Sequence, residues 1–155
     1  MSNSTKAAKS TKDKIDSGME KFSPAWVVDH AKDSPEHQLE IITRIRSGVK
    51  KSDWKGLIRS IGCTEKELQS IIPTSISSMQ KKNVYGKETS ERIYELARLY
   101  SRGNDVFDTK EDFKNWLNSP SQALGGKNPF ELLDSSFGFQ IVTDEITRIQ
   151  YNVYS

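Results

Sequence analysis

The chain holds one cysteine, Cys63, and two histidines, His30 and His37, in 155 residues. A disulfide framework is therefore excluded, and a thiolate zinc site with it. The histidines stand seven apart with no cysteine beside them, which reads as two surface side chains rather than a metal pair. Apolar runs are short. None approaches the roughly 20 residues of a membrane helix, and the lysines near the start are followed by no apolar signal-peptide core. A soluble cytoplasmic protein is the expectation. Charge of one sign is lacking too. The net charge of +2 makes any basic footprint a local one. At 34%, hydrophobic residues fall below the globular norm, so part of the chain is expected to stand outside a core.

Catalytic constellations are also missing. Cys63 precedes a predicted helix start, where a thiolate would be stabilised. Neither histidine is near it in sequence, and a lone cysteine more often packs as a small hydrophobe. Gly125, Gly126 and Lys127 spell the start of a phosphate loop. Such a loop needs GxxxxGK followed by Ser or Thr after a strand, whereas Asn128 and Pro129 follow here. No enzyme, cofactor or metal is expected.

What is present is helical periodicity almost throughout, and no strand pattern. The fold class expected is all-α. Residues 1–22, rich in Ser, Thr and Lys, are expected to form a flexible arm. Its Lys6, Lys9, Lys12 and Lys14 either touch DNA phosphates or merely solubilise. Ser23 and Pro24 open a helix. Pro35 opens a second, with Leu39, Ile42 and Ile45 on one face. Ser52 and Asp53 cap a third, carrying Trp54, Leu57, Ile58 and Ile61, with Gly62 past its end.

The stretch CTEKELQSIIPTSISSMQKKN follows. Thr64 and Glu67 make a capping box before a short helix bearing Leu68, Ile71 and Ile72. Pro73 breaks it. Ser75 caps a second short helix with Met79 inward. Two short helices joined by a tight turn form a helix-turn-helix pattern, with Pro73 where a turn glycine is usual. The second helix exposes Ser77, Ser78, Gln80, Lys81 and Lys82, which together with Ser75 are the candidate DNA contacts. A purely structural helix pair is the alternative. Ser90 then caps an amphipathic helix with Ile93, Leu96, Ala97 and Tyr100 on one face, ended by Gly103 and Asn104. Thr109 and Asp112 start another, with Phe113, Trp116 and Leu117 as its apolar patch.

The next stretch, ALGGKNPFELL, breaks helix by backbone chemistry. Gly125 or Gly126 supplies a left-handed conformation, Asn128 caps, and Pro129 fills a first turn. Phe130, Leu132 and Leu133 face inward. A last helix carries Phe137, Ile141, Ile146 and Ile149. Residues 23–104 form the helix-turn-helix domain and 105–155 a small C-terminal domain.

These residues resemble the Xre/MbcA/ParS-type antitoxins, partners of RES-domain toxins in type II toxin–antitoxin pairs. The family pattern ALGG-x-x-P-x-E-L-L-D is matched by Ala123, Leu124, Gly125, Gly126, Pro129, Glu131, Leu132, Leu133 and Asp134. The terminal pattern is matched by Ile149, Val153, Tyr154 and Ser155, with Asn152 in place of a glycine. The resemblance spans about residues 45–155. It implies an Xre-like helix-turn-helix bundle followed by a helical toxin-binding domain, a homodimer, and repression of the protein's own promoter through operator DNA. It also implies a toxin resembling ADP-ribosyltransferases that acts on NAD. Toxin contacts are then expected at Leu124, Gly125, Gly126, Pro129, Leu132, Leu133, Ile149, Tyr151, Asn152, Val153, Tyr154 and Ser155. The last four enter the toxin's cleft, where the Tyr154 ring anchors and the Ser155 carboxylate suits a site built for phosphates. The alternative is a stand-alone helix-turn-helix transcriptional regulator.

Overall fold

Most helix boundaries follow from local capping chemistry. The computed structural model describes residues 20–30 and 34–154. Within them lie α1 (Pro24–His30), α2 (Pro35–Ser47), α3 (Lys51–Ile61), α4 (Ile76–Lys81), α5 (Lys87–Val106), α6 (Lys110–Leu117) and α7 (Ser136–Tyr154). Two 3-10 helices, Gln122–Leu124 and Pro129–Leu132, precede α7. No strand occurs among the described residues, so the fold is all-α as expected. The arm expected over residues 1–22 lies outside the described residues up to residue 19, as does Ser155.

Ser23, Ser34, Ser75 and Thr109 each accept a backbone N–H at a helix start, at 3.0–3.3 Å. Each removes one orphan donor of a first turn. Gly62 closes α3 at φ 68°, its N–H bonded to the Ile58 carbonyl. The long α5 is the central element, packed against α1, α2, α3, α6 and α7. Its Ile93, Tyr94, Leu96, Ala97, Leu99 and Tyr100 are all buried in one hydrophobic cluster with Trp54, Leu57, Phe113, Leu133 and Ile146.

Several expected local features differ, each for a tertiary reason. α3 begins at Lys51 with no side-chain cap. The Lys51 N–H instead bonds the Asn83 carbonyl (2.8 Å) where residues 50 and 84 bridge. Ser90 caps nothing, because α5 starts at Lys87. The Ser90 hydroxyl, fully buried, accepts from Val49 N–H (2.8 Å) and donates to the Tyr85 carbonyl (3.3 Å). Gly103 does not end α5 but lies inside it, where a Cβ would strike the Phe113 ring.

The helix expected over residues 64–72 is a run of turns. The capping box does form, with Thr64 N–H to Glu67 Oε2 at 2.7 Å and Glu67 N–H to Thr64 Oγ1 at 3.2 Å. Beyond it Leu68, Ile71 and Ile72 all bury, and Pro73 disfavours helical backbone at Ile72. On α2, Ile41 and Ile45 pack on the core while Leu39 and Ile42 face outward. On α7, Phe139, Val142 and Ile146 are buried and Phe137 is exposed.

Candidate functional site

The segment before α7 is a tight knot of backbone bonds. Gly125 and Gly126 adopt φ 68° and 79° in succession. A Cβ on either would meet nothing within 4 Å, so glycine is needed for backbone conformation and not for space. The turn closes through Gly126 N–H to the Ser121 carbonyl (2.8 Å) and Ser121 N–H to the Lys127 carbonyl (3.0 Å). Asn128 holds the cap position of the next 3-10 helix, but its side chain makes no cap bond. Pro129 and Leu133 are buried, whereas Phe130 and Leu132 are half-buried.

α7 is seated at both ends. At its start Ser135 Oγ accepts from Gly138 N–H (3.1 Å). Gly138 lies so close to the Leu132 carbonyl that a Cβ would overlap it. Towards its end Arg102 of α5 donates from Nη2 to Thr147 Oγ1 (3.2 Å) and Gln150 Oε1 (2.9 Å). Arg92, one end of α5 earlier, lies 5.3 Å above the Phe139 ring. Residues 92 and 102 thus meet 139 and 147–150 in the same order, so α5 and α7 run parallel. A polar trough of about 510 Å3 lies between them, lined by Glu95, Arg102, Asp105, Gln140 and Thr143 among others.

The opposite face of α7 is solvent-facing, with Phe137 78% and Tyr151 70% exposed. Fourteen residues apart at 100° per residue, they fall within about 40° of one line along the helix, together with Asp144 and Arg148. The exposed phenyl ring and the exposed phenol thus stand on the solvent side of α7, away from the core.

Residues 102–151 match the model of the antitoxin Xre/MbcA/ParS C-terminal toxin-binding domain. A Prs ADP-ribosylating antitoxin from Sphingobium sp. (strain YBL2) is 30% identical over 124 residues, which covers 72% of this chain and 78% of that relative. The chain belongs to the Xre/MbcA/ParS antitoxin family. An Antitoxin Xre from Yersinia enterocolitica serotype O:8 / biotype 1B (strain NCTC 13174 / 8081) is 33% identical over 69 residues, 44% of this chain and about half (47%) of that protein. This protein is thus an antitoxin of a toxin–antitoxin pair, and its partner is a toxin.

In this antitoxin the matched segment contains Gly125, Gly126, Pro129 and the exposed Phe137 and Tyr151 of α7. Of the residues singled out from sequence, Gly125, Gly126, Tyr151 and Asn152 lie on the surface, and Leu124, Leu132 and Ile149 are half-buried. Pro129 and Leu133 are interior, so their part is to hold the turn. Val153 and Tyr154 belong to the last turn of α7. Contacts expected from Ser155 lie outside the described residues. Phe137, expected on the apolar face of the last helix, faces solvent instead. The phase of Phe139, Val142 and Ile146 is the signal that separates it.

The second cluster surrounds α4. Ser75 Oγ accepts from Ser78 N–H (3.2 Å) and donates to Ser78 Oγ (3.0 Å), so both hydroxyls serve the cap. Ser77, Gln80, Lys81 and Lys82 are exposed side by side. Met79 anchors the helix inside. Lys51 Nζ donates to the Gln80 carbonyl (2.6 Å), tying α4 to the start of α3. Tyr85, buried beneath, donates to the Met79 carbonyl (3.5 Å), and burial pushes its phenol up to about 12.

Cys63 is no nucleophile in this setting. No helix follows it, and it lies half-buried 3.3 Å from Tyr100 Oη. Burial pushes its thiol up, which keeps it protonated and inert. The histidines are not loose surface groups either. His30 stacks on Trp26 at 4.7 Å and His37 meets the same indole edge-on at 5.6 Å. Among the described residues no group of three or more metal ligands forms, and no helix is long and apolar enough to cross a membrane.

Proposed function

We propose that this antitoxin neutralises a RES-domain toxin that uses NAD to ADP-ribosylate its target, by laying the outer face of α7 on the toxin and placing residues 152–155 in its active-site cleft. The observation that carries this reading is the Phe137–Tyr151 face. Two of the most exposed large hydrophobic side chains lie along one helix whose Phe139, Val142 and Ile146 are buried on the other side. Such amphipathic rings are the residue types that dominate binding energy at interfaces. The ADP-ribosylating chemistry is carried over from the name of the Sphingobium relative. The glycine turn and the 3-10 helix that follows set the angle of α7, and occlusion of the cleft needs no chemistry from the antitoxin. Residues 105–155 act as the toxin-binding part.

Inhibition of toxin-catalysed NAD consumption tests this directly. Deleting residues 152–155 is expected to weaken inhibition about a hundredfold, the loss of a well-buried anchor. Equal inhibition by the truncated chain sinks the cleft-occlusion model.

A second activity is favoured by the exposed row Ser77, Gln80, Lys81 and Lys82. In this reading residues 23–104 form a homodimer on the operator of the antitoxin's own promoter, α4 enters the major groove, and the lysines meet phosphates. Replacing Lys81 and Lys82 by Ala is expected to lower the slope of log affinity against log salt by about 2. An unchanged slope removes α4 from the DNA contact.

A further inference from the structure

The outer face of α7 carries one charged side chain whose partner lies inside the protein. Arg148 stands on the line of Phe137 and Tyr151, and its side chain is 61% exposed. Its Nη1 lies 2.9 Å from Oε2 of Glu145, whose side chain is only 10% exposed. Asp144, four residues before Arg148, is also within helical reach, and an exposed acid at that spacing is the usual partner of an arginine. Asp144 instead accepts from Gln140 Nε2 (2.8 Å). Glu145 is set between Ile141 and Ile149 at four-residue spacing, both half-buried. In such surroundings a charge pair attracts more strongly than in water, and the buried carboxylate needs its cation to offset lost hydration.

Charge is satisfied in this pair, but hydrogen bonding is not. Glu145 Oε2 is sealed from solvent, and its approach to Arg148 is an ion pair without the alignment of a hydrogen bond. Among the described residues Arg148 makes no other ion pair or hydrogen bond. A guanidinium carries five N–H donors, and on an exposed side chain water takes them. A toxin laid over Phe137 and Tyr151 removes that water, and each donor left without an acceptor then costs affinity. Glu145 already neutralises Arg148. A second carboxylate, supplied by the toxin, would bring an uncompensated negative charge into the interface. The acceptors that fit are therefore uncharged: backbone carbonyls or side-chain amides.

We infer that the toxin docks on Arg148 and Glu145 as one neutral unit, with Arg148 donating to uncharged oxygens of the toxin and Glu145 holding the guanidinium from beneath. Glu145 is thus a positioning residue and acts through Arg148. The inference rests on the reading that the outer face of α7 binds the toxin, and it adds the chemistry of the toxin surface opposite. A guanidinium fixed beforehand also loses less freedom on binding than a loose one.

Calorimetric titration of the full chain with its cognate toxin, on single and paired variants, tests it. Arg148→Met is expected to weaken binding about tenfold, since the toxin's oxygens lose their donors and Glu145 its cation. Glu145→Gln keeps the shape of the side chain and is also expected to weaken binding about tenfold, because the toxin then buries an unpaired cation. The paired variant should bind within about threefold of either single one, as for two residues that act as a unit. A loss of about a hundredfold in the paired variant, the product of the two, overturns the inference. So does an Arg148→Met chain that binds like the wild type. A neutral pair also predicts the same dependence of Kd on salt for the wild type and the paired variant. A toxin carboxylate facing Arg148 would instead make Glu145→Gln bind more tightly at low salt and flatten the salt dependence in Arg148→Met, which overturns the uncharged surface. Melting curves of the free variants separate stability from binding: a lowered Tm with unchanged Kd makes Glu145 a residue of the fold alone and overturns its part. Phe137→Ala with Tyr151→Ala tests the underlying reading by itself. Unchanged affinity in that chain removes the α7 face from the toxin and the inference with it. Lost affinity there, with Arg148→Met binding as the wild type does, overturns only the neutral pair.

Discussion

The two faces assigned to partners are carried by helices held in opposite ways. α4 has six residues and α7 has nineteen. A six-residue helix is too short to be stable on its own. α4 stands because its neighbours supply backbone and side-chain bonds: the Ser75 cap, Lys51 Nζ on the Gln80 carbonyl, and the pairing of residues 49–51 with 83–85. α7 is long enough to hold its own ladder, and its surroundings fix only where it points. Gly138 allows its start to press on the Leu132 carbonyl, and Arg102 pins its later turns. For a short element the scaffold supplies existence, and for a long one it supplies direction.

One residue serves both. Arg92 donates from Nη1 to the Ile71 carbonyl (3.1 Å), in the turns before α4, and to the Leu133 carbonyl (3.1 Å), in the turn before α7. Its Nε donates to Glu95 at 3.0 Å. The two parts of the antitoxin therefore share a polar joint as well as a continuous hydrophobic cluster.

The contrast is open to attack by substitution. Gly138→Ala should have the largest effect. The new methyl meets backbone that cannot swing aside, with an expected loss of about 3 kcal/mol, or roughly 10 °C in Tm. An unchanged melting curve would mean that α7 is not seated on the Leu132 carbonyl. Arg92→Met comes next. It strands two carbonyls of buried residues, for an expected loss of about 2 kcal/mol. Toxin inhibition and DNA binding should both fall, and loss of only one would break the shared joint.

Ser75→Ala should cost about 1 kcal/mol in chemical denaturation. It should weaken DNA binding several-fold and leave toxin inhibition intact. Arg102→Met should cost about 1 kcal/mol or less, since the groups it releases are partly exposed. It should weaken toxin inhibition and leave DNA binding alone. Combined, the last two changes should be additive in stability, as expected of sites with no common partner. Coupling between them would show that the two faces are not independently held.

The chain of residues alone determined what depends on local chemistry. Helix period, the caps at Ser23, Ser75 and Thr109, the closing Gly62, a left-handed glycine at 125 or 126 (the structure uses both), and the family motif were legible, because each is a property of a few neighbouring residues. Phase and context were not. Phe137 and Phe139 are two residues apart on one helix, and Leu39 and Ile41 likewise. Which of each pair faces the core is decided by where α5 lies, and for Phe137 the phase of Phe139, Val142 and Ile146 is the local sign of it. The same holds for the run of turns over 64–72, whose capping box is as good as that of a helix. Ser90 and Gly103 resemble a cap and a terminator, yet one bridges backbone groups inside the protein and the other makes room for Phe113. Local signals act through bonds closed within four residues. Orientation, exposure and the use of Arg92 by two distant turns are decided by packing between segments some 20 to 40 residues apart in the chain.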